Sequence, residues 1–500
     1  MSVLTPLQMQ DLERGAFAEG VSQDALMEEA GHAMARAIAQ FAPAPGVCLA
    51  VFGKGHNGGD ALVAARLLSE SGWEVKLIAP FPSAELAPLT AQKWAAAGRC
   101  DTLPLESLQH WSPDPNRPLI LLDGLLGIGA TGTLRDPIAE ACRSLNGLRQ
   151  RSHALVFALD LPTGLDGLSG RCDPDAIVAD FTLSVGFAKT GLLADEAPHH
   201  VGRLAILPLP ALTLRNPHPP SEEVATPALL GPLWPRRSFL SHKGDYGRVT
   251  LVAGGLGTLG AASLAALGAL HAGAGLVTLF VPENLFAIAA ATAPPECMVR
   301  PLRQFAAVLK SRTDALGLGP GLGTEHADEI REIIRQFPGP AVVDADALNA
   351  LAGHLPLLSR CAGPRLLTPH PGEMQRIAPE LASLSRRETA ERFTREWPVT
   401  LLLKGSRSLI CSRGRLPSYN PTGNPGMASG GMGDVLTGVC TALQARGLNS
   451  HDAARLGAWI CGKSAESLIA SRVRSEESLL ASDVARHLGA AFQALRAGSF

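Results

Sequence analysis

Short apolar runs alternate with longer amphipathic stretches along the first two fifths of the chain. The runs that we predict as strands are residues 47–52, 75–79, 119–123, 154–160, 181–185 and 204–207. Each is continuously apolar, which is typical of parallel strands buried on both faces of a sheet. An amphipathic helix is predicted before them, from Ser22 to Phe41. The pattern therefore predicts an open α/β sheet.

The same alternation restarts after a segment with six prolines between Pro208 and Pro227, which is typical of a linker. The second series of predicted strands is 249–253, 276–281, 315–318, 341–344, 365–368 and 400–403, then a hairpin of 408–411 and 416–419, with helices from Gly431 onward. A chain of 500 residues also exceeds the usual size of one hydrophobic core. We predict two domains, residues 1–210 and 226–500, joined by a linker at 211–225.

Composition and charge exclude several classes of protein. The net charge of −2 argues against a surface for nucleic acid. Nine cysteines without a C-x-x-C pair favour reduced thiols over disulfides or a zinc site. The N-terminus lacks the pattern of a signal peptide, and the apolar segment 261–281 contains glycines that favour a buried helix and strand over a membrane span. We therefore predict a soluble, cytoplasmic protein without a membrane partner.

Glycine-rich loops with polar side chains follow three strands of the first domain. They are G53-K-G-H-N-G58, L122-D-G-L-L-G-I-G-A-T-G132 and A158-L-D-L-P-T-G-L-D-G167. Because the carboxyl ends of parallel strands share one edge of a sheet, we expect these loops to meet. Oxygen ligands such as Asn57, Asp123 and Thr163 suit a hard cation. A strand-terminal Asp can also act only as a helix cap or turn former.

The first loop formally matches the dinucleotide-binding pattern G-x-G-x-x-G. That pattern requires an acidic residue at the end of the next strand, where this chain has A79-P-F-P82. We therefore interpret this loop as a site for a nucleotide-type ligand that lacks the usual acidic contact to a ribose.

Together with L26-M-E-E-A-G31, these loops resemble the NAD(P)H-hydrate epimerase family over about the first 210 residues. The resemblance implies a Rossmann-like domain that interconverts the R and S epimers of hydrated NADH or NADPH and holds K⁺. It implies Asp160 as the acid/base and Asn57, Asp123 and Thr163 as K⁺ ligands. The implied substrate-binding residues are His56, Asn57, Gly58, Gly59, Asp60, Gly127, Ile128, Gly129, Ala130, Thr131, Gly132, Thr133 and Asp160. The chain departs from the family at His56, Ala61 and Thr163, where Asn, Gly and Ser are commoner.

The stretch N424-P-G-M-A-S-G-G-M-G-D-V-L-T-G438 places one carboxylate, Asp434, among glycines where a loop becomes a helix. Glycines let backbone N–H groups approach an anion, and a helix N-terminus favours phosphate. Asp434 is placed to accept a proton from a substrate hydroxyl next to that phosphate. A glycine-rich helix cap without catalytic function is the alternative interpretation.

Four further glycine-containing segments surround the strands of the second domain. They are H242-K-G-D-Y-G247, G254-G-L-G-T-L-G-A-A262, G317-L-G-P-G-L-G323 and T368-P-H-P-G-E373, and the turn K404-G-S-R-S408 follows another strand. Lys404 could instead be a surface charge and His370 a structural turn residue. Because G255-L-G-T-L-G260 followed by Glu283 also fits a Rossmann pattern, a nicotinamide-dependent dehydrogenase remains an alternative.

Taken in order, the motifs of residues 225 to 495 resemble the NAD(P)H-hydrate dehydratase family, in its bacterial ADP-dependent form, with a ribokinase-like fold. The resemblance implies ADP as co-substrate, with Mg²⁺, and Asp434 as the catalytic base. The implied residues for the hydrated dinucleotide are Ala262, Gly321, His370 and Asp434; those for the nucleotide are Lys404, Gly405, Ser406, Arg407, Ser408 and Gly433. The chain departs from the family at Met432 and Ser408, where Ser or Thr is commoner.

The sequence therefore predicts an α/β protein with two mainly parallel sheets and two activities. The two resemblances imply an N-terminal Rossmann-like epimerase domain before a C-terminal ribokinase-like dehydratase domain, a fusion that would let both epimers of a hydrated cofactor be repaired. A ribokinase-like small-molecule kinase with an N-terminal ligand-binding domain is the alternative enzyme. A non-catalytic, nucleotide-responsive binding protein is a third hypothesis. The expected partners are small molecules, and we expect a homo-oligomer.

Overall fold

The computed structural model describes residues 1–499 as two compact units, Met1–Val224 and Ala225–Ser499. The boundary lies inside the segment predicted as a linker. Leu212, near the start of that segment, is buried in the core of the first unit.

The first unit contains ten strands and seven helices among its described residues. The strands are β1 (Val3–Leu4), β2 (Val47–Phe52), β3 (Glu74–Ile78), β4 (Asp101–Thr102), β5 (Leu119–Gly124), β6 (Leu155–Leu159), β7 (Phe181–Val185), β8 (Ala188–Lys189), β9 (Arg203–Leu207) and β10 (Glu223–Val224). The helices are α1 (Pro6–Ala18), α2 (Gln23–Phe41), α3 (His56–Glu70), α4 (Pro88–Ala96), α5 (Ile138–Ser152), α6 (Pro198–Val201) and α7 (Pro210–Thr213).

Seven of these strands form one parallel sheet in the order β4-β3-β2-β5-β6-β7-β9. Strands β2 and β5 are buried at every position, as their continuously apolar sequences predicted. A separate parallel pair joins β1 to β8, with Leu4 opposite Lys189. The six predicted strands are confirmed to within one or two residues. The short strands β1, β4, β8 and β10 were not predicted.

The second unit begins with α8 (Pro227–Leu230) and contains a second α/β sheet. Its strands are β11 (Arg248–Val252), β12 (Leu276–Pro282), β13 (Cys297–Leu302), β14 (Ala315–Leu318), β15 (Ala341–Val343), β16 (Arg365–Leu367), β17 (Thr400–Leu403), β18 (Leu409–Ser412) and β19 (Ser418–Tyr419). The other helices are α9 (Leu259–His271), α10 (Phe286–Thr292), α11 (Ala306–Leu309), α12 (Ala327–Gln336), α13 (Ala345–Asn349), α14 (Pro371–Ile377), α15 (Arg386–Glu396), α16 (Met432–Ala445), α17 (Ser450–Ala470) and α18 (Ala481–Ala497).

These strands lie in the order β19-β18-β17-β16-β15-β14-β11-β12-β13. Pairing is parallel from β13 to β17 and antiparallel from β17 through β18 to β19, so the predicted hairpin is confirmed. The predicted α/β class with mainly parallel sheets is confirmed in both units. The edge strand β13 was not predicted. Half-buried and exposed residues alternate along most of it, so it does not form a continuous apolar run.

Helix α16 packs very closely against α9, and glycine makes this possible. A Cβ at Gly438 would lie 1.9 Å from the carbonyl oxygen of Ala265, and one at Gly268 would lie 2.5 Å from that of Val435. Gly438 therefore serves helix packing and is not part of the anion-binding loop in which the sequence grouped it. This contact fixes the helix whose first turn carries Asp434.

None of the helices in residues 1–499 is long and apolar enough to cross a membrane. All nine cysteines are free thiols, and five of them are buried. The other four are half-buried, so burial agrees in part with the expectation of buried thiols.

Candidate active sites

Asp160 lies at the carboxyl edge of the first sheet, directly after β6. Its backbone has the left-handed conformation, with φ +68°, which costs energy for a residue other than glycine and is commonest at functional sites. The side chain is 13% exposed and accepts a hydrogen bond from the amide of Val185 at 3.1 Å. A strained, mostly enclosed carboxylate at this edge is a candidate acid/base.

Asp123 is the penultimate residue of β5 and is fully buried. Its carboxylate accepts hydrogen bonds from the amide and the hydroxyl of Thr163, each at 2.7 Å. Burial raises the pKa of Asp123 to about 6, although these bonds oppose the rise. A positive charge nearby would favour the ionised form of this carboxyl.

Asn57 joins the same group from the first turn of α3. Its amide nitrogen donates to the carbonyl of Leu126 at 2.9 Å, while its buried Oδ1 has no hydrogen-bond partner among the described residues. The Leu126 amide in turn donates to the Thr163 hydroxyl at 3.1 Å. The structure thus brings together the three predicted K⁺ ligands, and the lone buried oxygen of Asn57 fits a hard-cation site.

The predicted substrate-binding residues of this unit occupy two neighbouring segments. Residues 56–60 form the first turn of α3, where His56 is exposed and free backbone N–H groups favour an anion. Residues 127–133 form the loop after β5, and Gly129, Thr131, Gly132 and Thr133 are exposed there. A Cβ at Gly127 would lie 3.3 Å from Cβ of Asn57 and 4.0 Å from the Asp160 carboxylate, so the two segments and Asp160 meet.

Sequence reasoning missed Lys189, the residue that contacts Asp160 most directly. Its side chain is only 1% exposed, and its ammonium donates to the Asp160 carboxylate and, at 2.9 Å, to the carbonyl of Val185. Lys189 is the second residue of the short, unpredicted strand β8, so periodicity gave no signal. The only available hint was the rarity of lysine in a chain rich in arginine.

In the second unit, Asp434 lies in the first turn of α16, after Gly431 in the left-handed conformation at φ +91°. Burial, followed by the negative charge of Asp344, raises the pKa of Asp434 to about 6, while Lys404 opposes the rise. The structure therefore places a carboxylate with elevated proton affinity at a helix N-terminus, which suits a catalytic base near a phosphate.

Lys404 lies at the end of β17 and is not an ordinary surface charge, because its side chain is only 19% exposed. Its ammonium donates to Asp344 at 2.8 Å and lies 3.7 Å from a carboxylate oxygen of Glu373. Burial lowers the pKa of Lys404, but the charges of Asp344 and Glu373 outweigh burial and raise it. A Cβ at Gly433 would lie 3.2 Å from this ammonium, so Lys404 and the Asp434 turn are neighbours.

Asp344 was missed as a site residue although it is the last residue of the predicted strand 341–344. It is 1% exposed, and its second oxygen accepts a hydrogen bond from the hydroxyl of Thr437 on α16 at 2.7 Å. Asp344 therefore ties Lys404 to the helix that carries Asp434. The signal was present in the sequence V342-V-D344, which has the same strand-end form as those around Asp123 and Asp160.

His370 caps α14, where its Nδ1 accepts from the amides of Gly372 at 3.0 Å and Glu373 at 3.3 Å. Half of the side chain remains exposed, and Nε2 lies 3.5 Å from Glu373. The structural role that the sequence left open is thus confirmed, and the exposed half of the ring can still meet a ligand.

Two glycine loops of the second unit are tied together at the sheet edge. The hydroxyl of Thr258 donates to the carbonyl of Gly321 at 2.7 Å, and the amide of Gly254 donates to Pro320 at 2.8 Å. Gly321 has φ +65°, which favours glycine, and a Cβ there would lie only 2.8 Å from Cβ of Thr258. Ala262 is buried and faces Gly254, so its methyl group packs inside the unit.

Arg386, which the sequence did not single out, stabilises the turn of residues 404–408 through hydrogen bonds to its backbone. Arg386 donates to the carbonyl of Leu403 at 3.3 Å and of Arg407 at 3.0 Å. A Cβ at Gly405 would meet this guanidinium at 2.6 Å. Arg407 is itself 4% exposed, so Ser406 and Ser408 present more of this turn to a ligand. Met432 packs against the hydrophobic core, which accounts for an apolar residue in the glycine loop.

Two family models match the chain in the predicted order. A model described as YjeF-related protein N-terminus matches residues 23–191, and one described as NAD(P)H-hydrate dehydratase matches residues 249–487. The chain is therefore a two-domain protein in which a YjeF-type domain precedes a dehydratase-type domain.

Relatives match nearly the whole length of the chain. The bifunctional NAD(P)H-hydrate repair enzyme of Moorella thermoacetica is 36% identical over 97% of this chain and 95% of its own. The bifunctional NAD(P)H-hydrate repair enzyme of Pyrobaculum aerophilum is 36% identical over 93% of this chain and 94% of its own. A crystal structure of the ADP/ATP-dependent NAD(P)H-hydrate dehydratase from Bacillus subtilis, co-crystallised with ATP and Mg²⁺, aligns with 27% identity and a TM-score of 0.49, over 55% of this chain and 99% of its own.

This chain belongs to the family of bifunctional NAD(P)H-hydrate repair enzymes. Both family resemblances inferred from the sequence motifs are confirmed.

Proposed function

We propose that this protein repairs hydrated NADH and NADPH in two steps. Its first unit interconverts the R and S epimers, and its second unit dehydrates the S form with ADP as co-substrate. The observation that carries the proposal is the enclosed group of Asp434, Lys404 and Asp344 beside the N-terminus of α16. Family membership supports both activities.

Dehydration of the hydrate needs a better leaving group than hydroxide. Water has added across the 5,6 double bond of the dihydronicotinamide ring, and its hydroxyl leaves poorly. In the proposed step the hydroxyl oxygen attacks the terminal phosphorus of the nucleotide, whose phosphoanhydride P–O bond breaks and leaves AMP. Asp434 takes the hydroxyl proton. The phosphate then departs with the C–O bonding electrons, a ring proton is lost, and the double bond returns.

The residues of the second unit support this sequence of events. The N–H groups of the first turn of α16 and the Lys404 ammonium stabilise negative charge that moves onto the phosphoryl oxygens. We propose Gly433 and residues 404–408 as the nucleotide site, and Ala262, Gly321 and His370 as further contacts of the hydrated dinucleotide. Among residues 1–499 no cluster of three His, Cys, Asp or Glu side chains could hold a metal ion. Mg²⁺ would be bound through the nucleotide phosphates, where it would neutralise their charge.

Epimerisation inverts the carbon that carries the hydroxyl. Inversion needs a bond at that carbon to break and to form again on the other face, with a proton moved at the hydroxyl and later returned. We propose that Asp160 moves this proton and that Lys189 holds its carboxylate in place. K⁺, held by Asn57, Asp123 and Thr163, would supply a fixed positive charge for the dinucleotide phosphates. Residues 56–60 and 127–133 would bind those phosphates.

The test is to incubate chemically prepared hydrated NADH with the protein, with and without ADP, and to follow the nicotinamide absorbance band. The proposal predicts recovery only with ADP, with one AMP and one phosphate formed for each NADH. A ribokinase-like kinase would instead accumulate a phosphorylated product without recovery. Replacement of ADP by ATP tests the preference for ADP. Gel filtration tests the expected homo-oligomer, and localisation in cells tests the cytoplasmic location.

A further inference from the structure

The strand order of the first unit indicates where each half of a dinucleotide lies on its sheet. Counted along the chain from β2, the neighbouring strands β4-β3-β2-β5-β6-β7 read 3-2-1-4-5-6. Sheets with this order bind a dinucleotide across the point where the order reverses, here between β2 and β5. The start of α3 then meets the pyrophosphate, and the ribose of the adenosine half lies at the end of β3. Asp160, after β6, falls on the other side of the reversal, where the nicotinamide half lies.

A lysine and a glutamate meet at this end of β3. Lys54 lies in the loop after β2, and Glu85 ends the short 3-10 turn Ser83–Glu85 that follows β3. The Lys54 ammonium donates a hydrogen bond to the Glu85 carboxylate and lies 4.2 Å from the centre of the Phe81 ring. The sequence pattern lacked an acidic residue at the end of β3, and Glu85 provides one after the turn.

Backbone contacts hold the segment after β3 against the residues that precede α3. The amide of Ala87 donates to the carbonyl of Lys54 at 3.0 Å, and the hydroxyl of Thr90 on α4 donates to the carbonyl of Gly55 at 2.9 Å. The side chains of Lys54 and Glu85 nevertheless stay 44% and 48% exposed. The pair is therefore fixed in position at the ribose end of the site and open to a ligand.

The two side chains suit the two forms of the substrate. At the 2′ position of the adenosine ribose, NADH carries a hydroxyl and NADPH carries a phosphate. A carboxylate accepts a hydrogen bond from the hydroxyl and repels the phosphate, whereas a lysine ammonium attracts the phosphate as a point charge. A lysine and a glutamate that are bonded to each other can serve either form, because each can give up its partner.

We propose that Lys54 and Glu85 form the 2′ site of the epimerase. With NADH hydrate, Glu85 accepts a hydrogen bond from the ribose hydroxyl and keeps its bond to Lys54. With NADPH hydrate, Lys54 turns from Glu85 to the 2′-phosphate. One ion pair thus admits both cofactors, and this inference rests on the proposed epimerase function.

The test measures how fast the full-length chain converts the R epimer of each hydrate into the S epimer without ADP, followed by chromatography and corrected for spontaneous epimerisation. Lys54→Met should raise KM for NADPH hydrate about tenfold, with little change in kcat or in KM for NADH hydrate. Glu85→Gln should lower KM for NADPH hydrate, because the carboxylate that competes for Lys54 is lost. Lys76→Met is the control, since it removes a lysine of β3 that pairs with Glu74 at 3.2 Å, and it should change neither constant.

Equal changes in KM for the two hydrates in Lys54→Met, or no change for either, would overturn the inference, as would a higher KM for NADPH hydrate in Glu85→Gln. In these cases the epimerase function stands, provided that the unaltered chain is faster than Asp160→Asn. If the unaltered chain is no faster than Asp160→Asn, the proposed epimerase site fails and this inference fails with it. Thermal unfolding checks that the variants are folded, and a partly unfolded variant would lose kcat equally with both hydrates.

Discussion

The substitution Asp344→Asn tests how the second site raises the proton affinity of its base. Asp344 holds Lys404 at 2.8 Å and adds, after burial, to a rise in the pKa of Asp434 from 3.8 to about 6. In the variant one negative charge is lost, and Lys404 is released toward the remaining carboxylates. Both changes favour the ionised form of Asp434, so its pKa should fall.

The size of the effect follows from the order of the causes. Burial is the larger cause of a rise of about two pKa units, so removal of Asp344 should lower the pKa of Asp434 by about one unit. Because Asp434 accepts a proton only when ionised, the unaltered chain should lose dehydratase activity as the pH falls through about 6. In Asp344→Asn the acid side of the profile should move down by about one pH unit.

The assay is the pH profile of ADP-dependent recovery of NADH from the S epimer. Asp328→Asn, which alters a highly exposed acid on α12, is the control and should leave the profile unchanged. Asparagine can still accept the hydrogen bond from Thr437, so the variant should stay folded. A profile of Asp344→Asn whose acid side coincides with that of the unaltered chain, or moves to higher pH, would refute the reasoning.

Three further changes test other parts of the account. Asp160→Asn should leave only the S epimer consumed, seen as recovery that stops when about half of an equal mixture remains; full consumption at the normal rate would assign epimerisation to another group. Exchange of K⁺ for a bulky organic cation should slow consumption of the R epimer and lower the melting temperature of the first unit. In Asn57→Ala, the rate of consumption and the melting temperature should no longer depend on K⁺. Gly438→Ala should destabilise the second unit by about 1–3 kcal/mol, because the added Cβ would meet the Ala265 carbonyl. Gly489→Ala on α18, where the space around the glycine is open, is the control and should not destabilise it. Thermal unfolding compares the two variants, and equal stability would contradict the packing argument.

The sequence predicted the main strands because parallel strands buried on both faces leave a simple signal. The runs around β2 and β5, and the strand-end loops that follow them, were located from that signal alone. Since strand ends share an edge, the meeting of the Asn57, Asp123 and Thr163 loops could also be predicted.

What could not be predicted depends on contacts between distant residues. Lys189 reaches Asp160 from a two-residue strand whose partner is the N-terminal strand β1, and so short a pairing has no periodicity. The role of Gly438 likewise depends on the approach of α9, which no local pattern reveals.

The central claim is that the Asp434 carboxylate takes the hydroxyl proton of the hydrated cofactor at a bound nucleotide. The most direct measurement compares the unaltered chain with Asp434→Asn in the ADP-dependent recovery of NADH from the pure S epimer, with binding of ADP measured in parallel. The account predicts that the variant binds ADP but restores NADH at least a hundredfold more slowly. Recovery at the rate of the unaltered chain would contradict it.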